Sequence, residues 1–599
     1  MENAKRFYEN NIKLVKEKIT VLDKKIEVIG WSRLVILLAG LFLSYKTYKS
    51  SGLVNALMGV AVTFVIFSVV AIFHGKIMKK HDELEVELEF NEKGIKRLNG
   101  GYKEFEDKGS DLVEGDHAFA NDLDIFGDNS LFQMINSTRT LSGRKRLGEI
   151  LSLKNLPSKK EVEERQKAIR ELGKKVEWRK ELYVKSTFKK KKGEELDELI
   201  KWGKSEAKGD KGRIGIASLF ILITFGCIFL SIIKVIPVSF LILDFMVNYA
   251  VIKVLTKDIT EVITLFNKIK NSVKAYSNIL ALIEDESFES EHLNSLKKKL
   301  NEDSNRSCKV EMQKLASLLD WVGDSTGNAY FFILDILFFA DVFILYNLNK
   351  WKKVNGLKVE TWLEVMGEFD ALASIANLSF DHEEWCYPVI SDTAEVDGLN
   401  VRHPLIGDRA VANSYSLRNP KQITLITGSN MSGKSTFLRT IGINLVLSYV
   451  GAPCAAEKFS ASIMSIYTCM RTKDNLEESI SSFYAEILRI KLLIEACKRG
   501  EKVFFLLDEI FKGTNSKDRH TGATVLVKQL ADNGAMGLLS THDLELCDLE
   551  EEMKEVENYN FREYYKDDKI HFDYKLRPGK SVTQNAVYLM KLAGIEISK

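Results

Sequence analysis

Helix-breaking and cross-linking residues are scarce in this sequence. Seven prolines in 599 residues favour long, unbroken helices. The seven cysteines are dispersed, without a C-x-x-C pair or a metal-ligand spacing, and this indicates reduced thiols on the cytosolic side of a membrane. Neither sign of charge dominates, because the formal net charge is +2, so any basic surface for a polyanion must be local. The polar segment after Met1 is unlike a secretory signal.

Four apolar runs stand out against this background. Residues 29–45 and 52–73 form one pair, and residues 214–233 and 238–251 form another. Runs near this length can cross about 30 Å of hydrocarbon, so we predict two transmembrane helical hairpins. Two hairpins make the protein multi-pass. Lysines flank both pairs, so the positive-inside rule places the termini and the soluble segments in the cytoplasm. Buried core helices are the alternative, above all for the fourth run, where Asp244 would be costly in lipid.

The hairpins divide the chain into five segments. Residues 1–80 hold an N-terminal helix and the first hairpin, and residues 213–253 hold the second hairpin. Residues 81–212 and 254–380 have helical periodicity and are predicted to form a soluble helical core. Residues 381–599 combine strand and helix patterns and are predicted to form an α/β domain.

Two further stretches are open to more than one interpretation. The run from Phe331 to Leu348 is apolar and aromatic, but Asp335 and Asp341 interrupt it, which favours a core helix over a fifth span. The basic run from Lys189 to Lys192 is interpreted as a solvated loop, with a contact to an anionic lipid headgroup or a nucleic-acid phosphate as the alternative.

A glycine-bearing loop organises the C-terminal segment. The β-branched and apolar run Ile423–Thr427 predicts a buried strand, and a helical pattern follows the loop. Between them, Gly428–Ser435 fits G-x-x-x-x-G-K-[ST], in which backbone N–H groups surround phosphates at a helix N-terminus. We therefore predict ATP binding, with Lys434 on the β- and γ-phosphates and Ser435 on Mg²⁺. The predicted nucleotide-binding residues of the loop are Gly428, Ser429, Asn430, Met431, Ser432, Gly433, Lys434, Ser435 and Thr436.

Acidic and histidine side chains follow two later strand patterns. Asp508 and Glu509 close the apolar run Val503–Leu507, and His542 follows the run Gly537–Ser540. We predict that Asp508 holds Mg²⁺ through water and that Glu509 orients and polarises the attacking water. His542 is predicted to contact the γ-phosphate. The segment is thus predicted to be an enzyme that hydrolyses ATP, with Glu509 and His542 as its catalytic residues.

Four motifs carry a resemblance to a known family. They are TGSNMSGKST at Thr427–Thr436, LLDEI at Leu506–Ile510, GTNSKD at Gly513–Asp518 and STHD at Ser540–Asp543. Their order and spacing resemble those of the MutS family of DNA mismatch-repair ATPases, within the ABC-type ATPases. RHPLI, KLRPGKS and VYLMKLAGI are similar to motifs that frame this ATPase domain. With SLFQMINSTRT in the middle segment, the resemblance covers residues 125–185 and 255–599.

The resemblance implies a fold, partners and a ligand. It implies an ABC-type α/β phosphate-loop ATPase domain at the C-terminus and an all-α lever and core domain with the two hairpins inserted. It implies a homodimer with nucleotide at the interface, where Ser481, in a segment with Arg471 and Asp474, reaches the partner's nucleotide. Mismatched or branched DNA is the implied ligand, and hydrolysis through Glu509 would move the helices as levers.

The sequence also departs from the family's pattern. The family reads mismatches with an N-terminal domain that uses a Phe-x-Glu motif, and the first hairpin occupies that part of this chain. Phe-x-Glu occurs by chance, in our interpretation, at Phe7–Glu9, Phe90–Glu92 and Phe561–Glu563. Lys145 stands where the family usually carries arginine, and Ser479 and Phe511 stand where it usually carries glycine.

These features predict a membrane-anchored MutS-like ATPase that contacts membrane lipid through its hairpins. The main alternative is a membrane-anchored ABC-type ATPase whose lever motion acts on the membrane or on a protein partner, without a role on DNA. A third hypothesis is a membrane tether whose nucleotide only locks the dimer.

Overall fold

The computed structural model describes residues 1–599 except 114, 116, 187–193, 207–210, 258, 303–305, 326–328, 472–481, 567–568 and 582–599. Several predicted features lie outside the described residues, namely Lys189–Lys192, Asp474, Ser479, Ser481 and Val587–Ile595. The chain forms two compact units. One comprises Met1–Ser137, Leu147–Val176 and Leu372–Lys599, and the other comprises Thr138–Arg146 and Glu177–Ala371.

Helices dominate the described residues. In chain order they are α1 Glu2–Ser51, α2 Leu53–Leu98, α3 Leu131–Ile135, α4 Leu141–Leu151, α5 Lys159–Lys174, α6 Val176–Lys185, α7 Glu194–Lys204, α8 Lys211–Ile232, α9 Ser239–Leu255, α10 Ile259–Asp285, α11 Glu291–Lys299, α12 Cys308–Ser325, α13 Ala329–Phe338, α14 Ala340–Asn355, α15 Lys358–Asp381, α16 Lys434–Val450, α17 Ser482–Lys498, α18 Ser516–Asp532 and α19 Leu549–Glu552. The helical prediction for the segments before residue 381 agrees with these bounds.

All strands of the described residues follow α15. They are β1 Val389–Ser391, β2 Glu395–Val401, β3 Asn413–Arg418, β4 Ile423–Thr427, β5 Lys458–Ser462, β6 Ser465–Cys469, β7 Val503–Asp508, β8 Met536–Thr541, β9 Val556–Lys566 and β10 Lys569–Pro578. A six-stranded sheet has the order β10-β9-β4-β8-β7-β6, in which only the β9–β10 pair is antiparallel. A mixed four-stranded sheet has the order β1-β5-β2-β3.

The central strands of the larger sheet consist largely of apolar residues because both faces of these strands are buried. Every residue of β4 is buried, as are the first five residues of β7 and of β8. Buried side chains of α17 and α18, including Leu493 and Leu526, pack in one cluster with Phe505. A parallel sheet buried in this way brings the carboxyl ends of β4, β7 and β8 to one edge, where the predicted functional residues begin.

The first predicted hairpin is part of a longer one. α1 has 50 residues and α2 has 46, and they meet at Gly52, whose φ is +85°. The predicted amphipathic N-terminal helix is therefore continuous with the first apolar run. Phe42 and Val65 are examples of its exposed apolar side chains, at 67% and 60% exposure. The two helices touch closely at Gly40, where a Cβ would lie 2.1 Å from the Thr63 side chain.

A buried polar triad fixes the opposite end of this hairpin. The Tyr8 hydroxyl donates to Asp381 Oδ1 at 2.8 Å, and Arg97 Nε donates to Asp381 Oδ2 at 2.7 Å. Arg97 Nη2 also donates to the Tyr8 hydroxyl at 3.1 Å. Gly94 allows this contact, since a Cβ there would lie 2.4 Å from the Tyr8 ring. The triad ties α1 and α2 to the last residue of α15.

The second predicted hairpin, α8 and α9, packs against a broken helix. Within the described residues, α1, α2 and Gly212–Ile232 are each long and apolar enough to cross a membrane. The 17 residues of α9 make a helix of about 25 Å, shorter than typical hydrocarbon. The predicted single core helix at Phe331–Leu348 is wrong in detail, because the chain bends by 82° between α13 and α14. Phe339 takes a left-handed φ of +51° at the bend.

Candidate nucleotide site

The loop after β4 has the backbone shape of a phosphate cradle. Gly428 and Gly433 have φ values of +151° and +108°, which side chains disfavour. A Cβ on Gly428 would also lie 2.8 Å from Ser432 Oγ and 2.9 Å from the Phe561 carbonyl oxygen. α16 begins directly after Gly433, so its N-terminal N–H groups and partial positive charge face the loop.

The Lys434 ammonium is held inside this loop. Its Nζ donates to the carbonyl oxygens of Gly428 at 2.9 Å and Ser429 at 3.1 Å. It also lies 3.5 Å from Glu509 Oε1. Burial lowers the pKa of Lys434, and the Glu509 carboxylate opposes that effect. A bound polyphosphate would therefore replace these backbone carbonyl oxygens as the partner of the Lys434 ammonium.

Glu509 lies where β7 ends, and several donors converge on it. Its backbone takes a left-handed φ of +50°, and its N–H donates to the Ser540 carbonyl at 3.0 Å. His542 Nε2 lies 2.8 Å from Glu509 Oε1, and Lys512 Nζ lies 2.9 Å from Oε2. The hydrogen bond from His542, followed by that from Lys512, holds the pKa of Glu509 well below its usual range. The side chain is thus an ionised carboxylate.

His542 connects the carboxylate to the loop. Its Nε2 also lies 2.9 Å from Asn430 Oδ1. Asp508 is anchored in the neighbouring position, where its Oδ1 accepts a hydrogen bond from Ser540 Oγ. These contacts follow from the parallel register, in which Asp508 is level with Ser540. The structure therefore brings Asn430, Lys434, Asp508, Glu509 and His542 to one edge of the sheet.

A cavity of about 470 Å³ opens above the loop. Its lining includes Ser429, Asn430, Met431, Ser432, Gly433, Lys434, Ser435, Thr436 and Glu509, all of which the sequence predicted. It also includes residues that sequence reasoning missed, which are Arg409, Val411, Asn413, Phe561 and Tyr574. His403, from the RHPLI motif, lines it too, and burial lowers its pKa to about 4.

The donors present fit a magnesium nucleotide. Ser432 Oγ is buried, beside the positive N-terminus of α16, and has no hydrogen-bond partner among the described residues. Oxygen donors of the type that Mg²⁺ prefers stand nearby, namely the Ser435 hydroxyl and the Asp508 carboxylate. An orphaned hydroxyl, a buried ammonium and a glycine cradle together match a polyphosphate ligand.

The segment predicted to act on a partner's nucleotide begins beside the site. Ser481 itself lies outside the described residues, but Arg471 precedes it and makes two bonds to Asp124, at 2.6 and 3.2 Å. Asp122 accepts from Thr468 Oγ1 at 2.7 Å and from Arg489 at 2.9 Å. Sequence reasoning missed both aspartates, because no motif surrounds them and their partners are distant in the chain.

The three Phe-x-Glu tripeptides all have structural roles. Phe7 packs edge-on against Phe380, and Phe90 is buried. Phe561 is buried beneath the phosphate loop, and Glu563 accepts a hydrogen bond from Ser429 Oγ at 2.8 Å.

A buried, mainly parallel sheet with a glycine loop leading into a helix is typical of α/β nucleotide-binding domains. Residues 424–598 match the family model described as MutS domain V. The C-terminal region of this chain is therefore similar to domain V of the MutS family, as the sequence motifs predicted.

Individual relatives agree with that assignment. The chain is 31% identical over 244 residues to a DNA mismatch repair protein MutS of Aquifex pyrophilus, which covers 40% of this chain and 28% of the relative. It is 28% identical over 246 residues to the protein of the same name from Natronomonas pharaonis, with the same coverage. It is 26% identical over 255 residues to an Endonuclease MutS2 of Carboxydothermus hydrogenoformans, covering 42% of this chain and 32% of that protein. The chain thus spans less than a third of the length of these relatives.

Proposed function

We propose that this protein is a membrane-anchored MutS-like ATPase that binds and hydrolyses ATP. One observation carries the proposal. His542 bridges the Glu509 carboxylate and Asn430 of the phosphate loop, within reach of the Lys434 ammonium. The carboxylate can position an attacking water and the ammonium and imidazole can neutralise phosphate charge, which are tasks that phosphoryl transfer to water needs.

The side chains would divide the chemistry between them. Lys434 would move from the Gly428 and Ser429 carbonyls to the β- and γ-phosphate oxygens. Glu509, ionised because of its donors, would orient and polarise the attacking water. His542 would stabilise charge on the γ-phosphate. Mg²⁺, held by Ser435 and through water by Asp508, would supply charge neutralisation between phosphates.

A homodimer would complete this site. Met431, at the tip of the loop, is 85% exposed, so the open side of the cavity is available to a second subunit. By resemblance, the partner's Ser481 would approach the γ-phosphate from that side. The contact between Arg471 and Asp124 would set the position from which that segment departs.

Membrane anchoring is supported by the exposed apolar surfaces of α1, α2 and α8. We propose that segments 1–80 and 213–253 insert as two hairpins, with both termini and the ATPase domain, residues 381–599, in the cytoplasm. Segments 81–212 and 254–380 would form the MutS-like core and lever. Phe42 and Leu222, at 67% and 71% exposure, illustrate side chains that a bilayer would cover.

Mismatched or branched DNA is the proposed ligand, and this proposal rests on the similarity to DNA mismatch repair proteins. The near-neutral net charge means that DNA contacts would come from local basic surfaces.

A second candidate function is favoured by the triad of Tyr8, Arg97 and Asp381. It joins the membrane hairpin to the end of α15, eight residues before β1 begins the nucleotide-binding region. ATP-driven movement of α15 could therefore act on the bilayer or on a membrane partner without any DNA.

The deciding experiment measures ATP turnover by the detergent-purified full chain with plain, mismatched and branched duplexes. Wild type should hydrolyse ATP, Lys434→Ala should not, and Glu509→Gln should retain ATP binding without turnover. Lys528→Ala, which removes an exposed lysine of α18, is the matched control. Stimulation by irregular DNA supports the first candidate, turnover indifferent to DNA supports the second, and wild-type turnover by Lys434→Ala would refute both.

A further inference from the structure

The broken helix pair α13 and α14 carries an inference beyond the two predicted hairpins. α13 packs against both helices of the second hairpin. The ring of Phe332 lies 5.9 Å from that of Tyr249 on α9, and the ring of Phe338 lies 5.7 Å from that of Phe225 on α8. Phe339, at the bend, lies 6.1 Å from Phe220 and belongs to a buried apolar cluster.

The depth of these contacts can be worked out from helix geometry. The apolar run of α8 begins at Ile214, and Phe225 is eleven residues further along. Phe220, which faces Phe339 at the bend, is only six residues from Ile214. At 1.5 Å per residue, the bend therefore lies about 9 Å inside the hydrocarbon, within the cytoplasmic half of a layer of about 30 Å. α13 has 10 residues, about 15 Å along its axis, which is enough to reach that depth at the slant that an 82° bend implies.

α14 returns the chain over the same distance. Its first ten residues, Ala340–Asn349, are mostly apolar, and Lys350, Lys352 and Lys353 follow. Ten residues measure about 15 Å along the helix axis, which even at a slant returns the lysines to the membrane surface from a depth of about 9 Å. Lys352 is there bound to Ser205 Oγ at 2.7 Å.

Side chains form hydrogen bonds with backbone groups at the bend, as a break in a helix inside hydrocarbon requires. Asn248 Nδ2, fully buried on α9, donates to the Ile336 carbonyl at 3.1 Å and to Thr224 Oγ1 at 2.8 Å. Asp335 Oδ1 accepts from the Asp341 N–H at 3.0 Å, at the start of α14. Water would perform these tasks at an aqueous bend, whereas inside a bilayer only protein groups can.

The outer face of α13 is apolar and uncovered. Phe332 and Ile333 are 55% and 56% exposed, and this face continues the exposed apolar surface of α8 and α9. We propose that α13 and α14 form a re-entrant element that enters the cytoplasmic half of the bilayer and returns to the same side, with lipid acyl chains covering Phe332 and Ile333. This inference rests on the proposed membrane anchoring of the second hairpin.

Cysteine labelling in native membranes tests the element and the anchoring separately. Ile333→Cys is compared with Leu222→Cys on α8 and with Val354→Cys on α14, which are 71% and 63% exposed, using a membrane-impermeant maleimide on inside-out vesicles. The wild-type chain gives the background from its native cysteines. We expect labelling at 354 and at least tenfold less at 222 and 333, with labelling of all three in SDS.

The remaining outcomes overturn one proposal or the other. Labelling at 333 equal to that at 354, with 222 protected, would overturn the re-entrant element and leave the anchoring intact. Labelling at all three positions would overturn the anchoring itself. Protection by a protein partner is tested by attaching a fluorophore at 333 in reconstituted vesicles. A lipid with a nitroxide in the upper part of its acyl chain should quench it more than a headgroup nitroxide does, and absence of lipid quenching would overturn the proposal.

Discussion

Substitution of Asp381 by asparagine should release the base of the first hairpin. The Asp381 and Arg97 side chains are only 1% and 3% exposed, so the charge on each is compensated almost entirely by the other. Asparagine keeps the size of the side chain but removes the negative charge, which leaves the Arg97 guanidinium buried and unpaired beside Tyr8.

The cost follows from that burial. Removing one partner of a buried ion pair costs about 3–5 kcal/mol, because the remaining charge stays desolvated. At about 1.4 kcal/mol per tenfold change, docking of the hairpin base would weaken by at least about 100-fold. Arg6→Ala is the matched control on the same helix. Arg6 pairs with Glu2, both are about three-quarters exposed, and such pairs contribute at most about 0.5 kcal/mol.

Limited trypsin digestion of the detergent-purified chain measures this release. The lysines of α1 should be cleaved much faster in Asp381→Asn than in wild type, and Arg6→Ala should behave as wild type does. Equal cleavage rates in Asp381→Asn and Arg6→Ala would refute the reasoning. If the hairpin also transmits ATP-driven motion, the Asp381→Asn variant should still bind ATP. Its rate of ATP turnover should then be the same in detergent and after reconstitution into lipid.

Three further outcomes test the site. Burial lowers the pKa of His403 to about 4, so His403 takes up a proton at a higher pH in the unfolded chain than in the folded chain. The free energy of unfolding should therefore fall by up to roughly 3 kcal/mol between pH 7 and 4, and His403→Gln should flatten that dependence in thermal melts. Gly428→Ala should abolish ATP binding through its clashes with Ser432 and Phe561, whereas Gly407→Ala, also at positive φ but with open space around it, should cost only about 1 kcal/mol and keep binding by filter assay. DNA binding, if present, should weaken steeply with salt in a titration, and a flat dependence would count against phosphate contacts.

Much of the nucleotide site could be predicted because its determinants are local. The residues from Ile423 to Thr436 are consecutive, and strand, glycine loop and helix each have their own short-range signal. Asp508, Glu509 and His542 could be added because parallel strands end at one edge of a sheet. Their mutual contacts could not be predicted, since the direction in which the Glu509 side chain leaves the sheet to meet His542 depends on the left-handed backbone at Glu509.

The apolar runs were equally visible, yet their arrangement was not. Length and composition identified residues 52–73 and 214–233 as apolar helices. No pattern in the run Phe331–Leu348 predicted the 82° bend, beside which Asn248 donates to the Ile336 carbonyl. Asp335 and Asp341, which favoured a core helix over a fifth span, lie at the bend, where the Asp335 side chain accepts a hydrogen bond from the Asp341 N–H.

The sequence by itself determined the phosphate loop, the family and the existence of apolar helices, because each is encoded by neighbours along the chain. Only the tertiary structure decided what those parts are attached to. Tyr8 meets Asp381 across 373 residues, and Arg471 meets Asp124 across 347. Such contacts form when distant segments pack and a buried charge must find a partner, and no local pattern records which partner it will be.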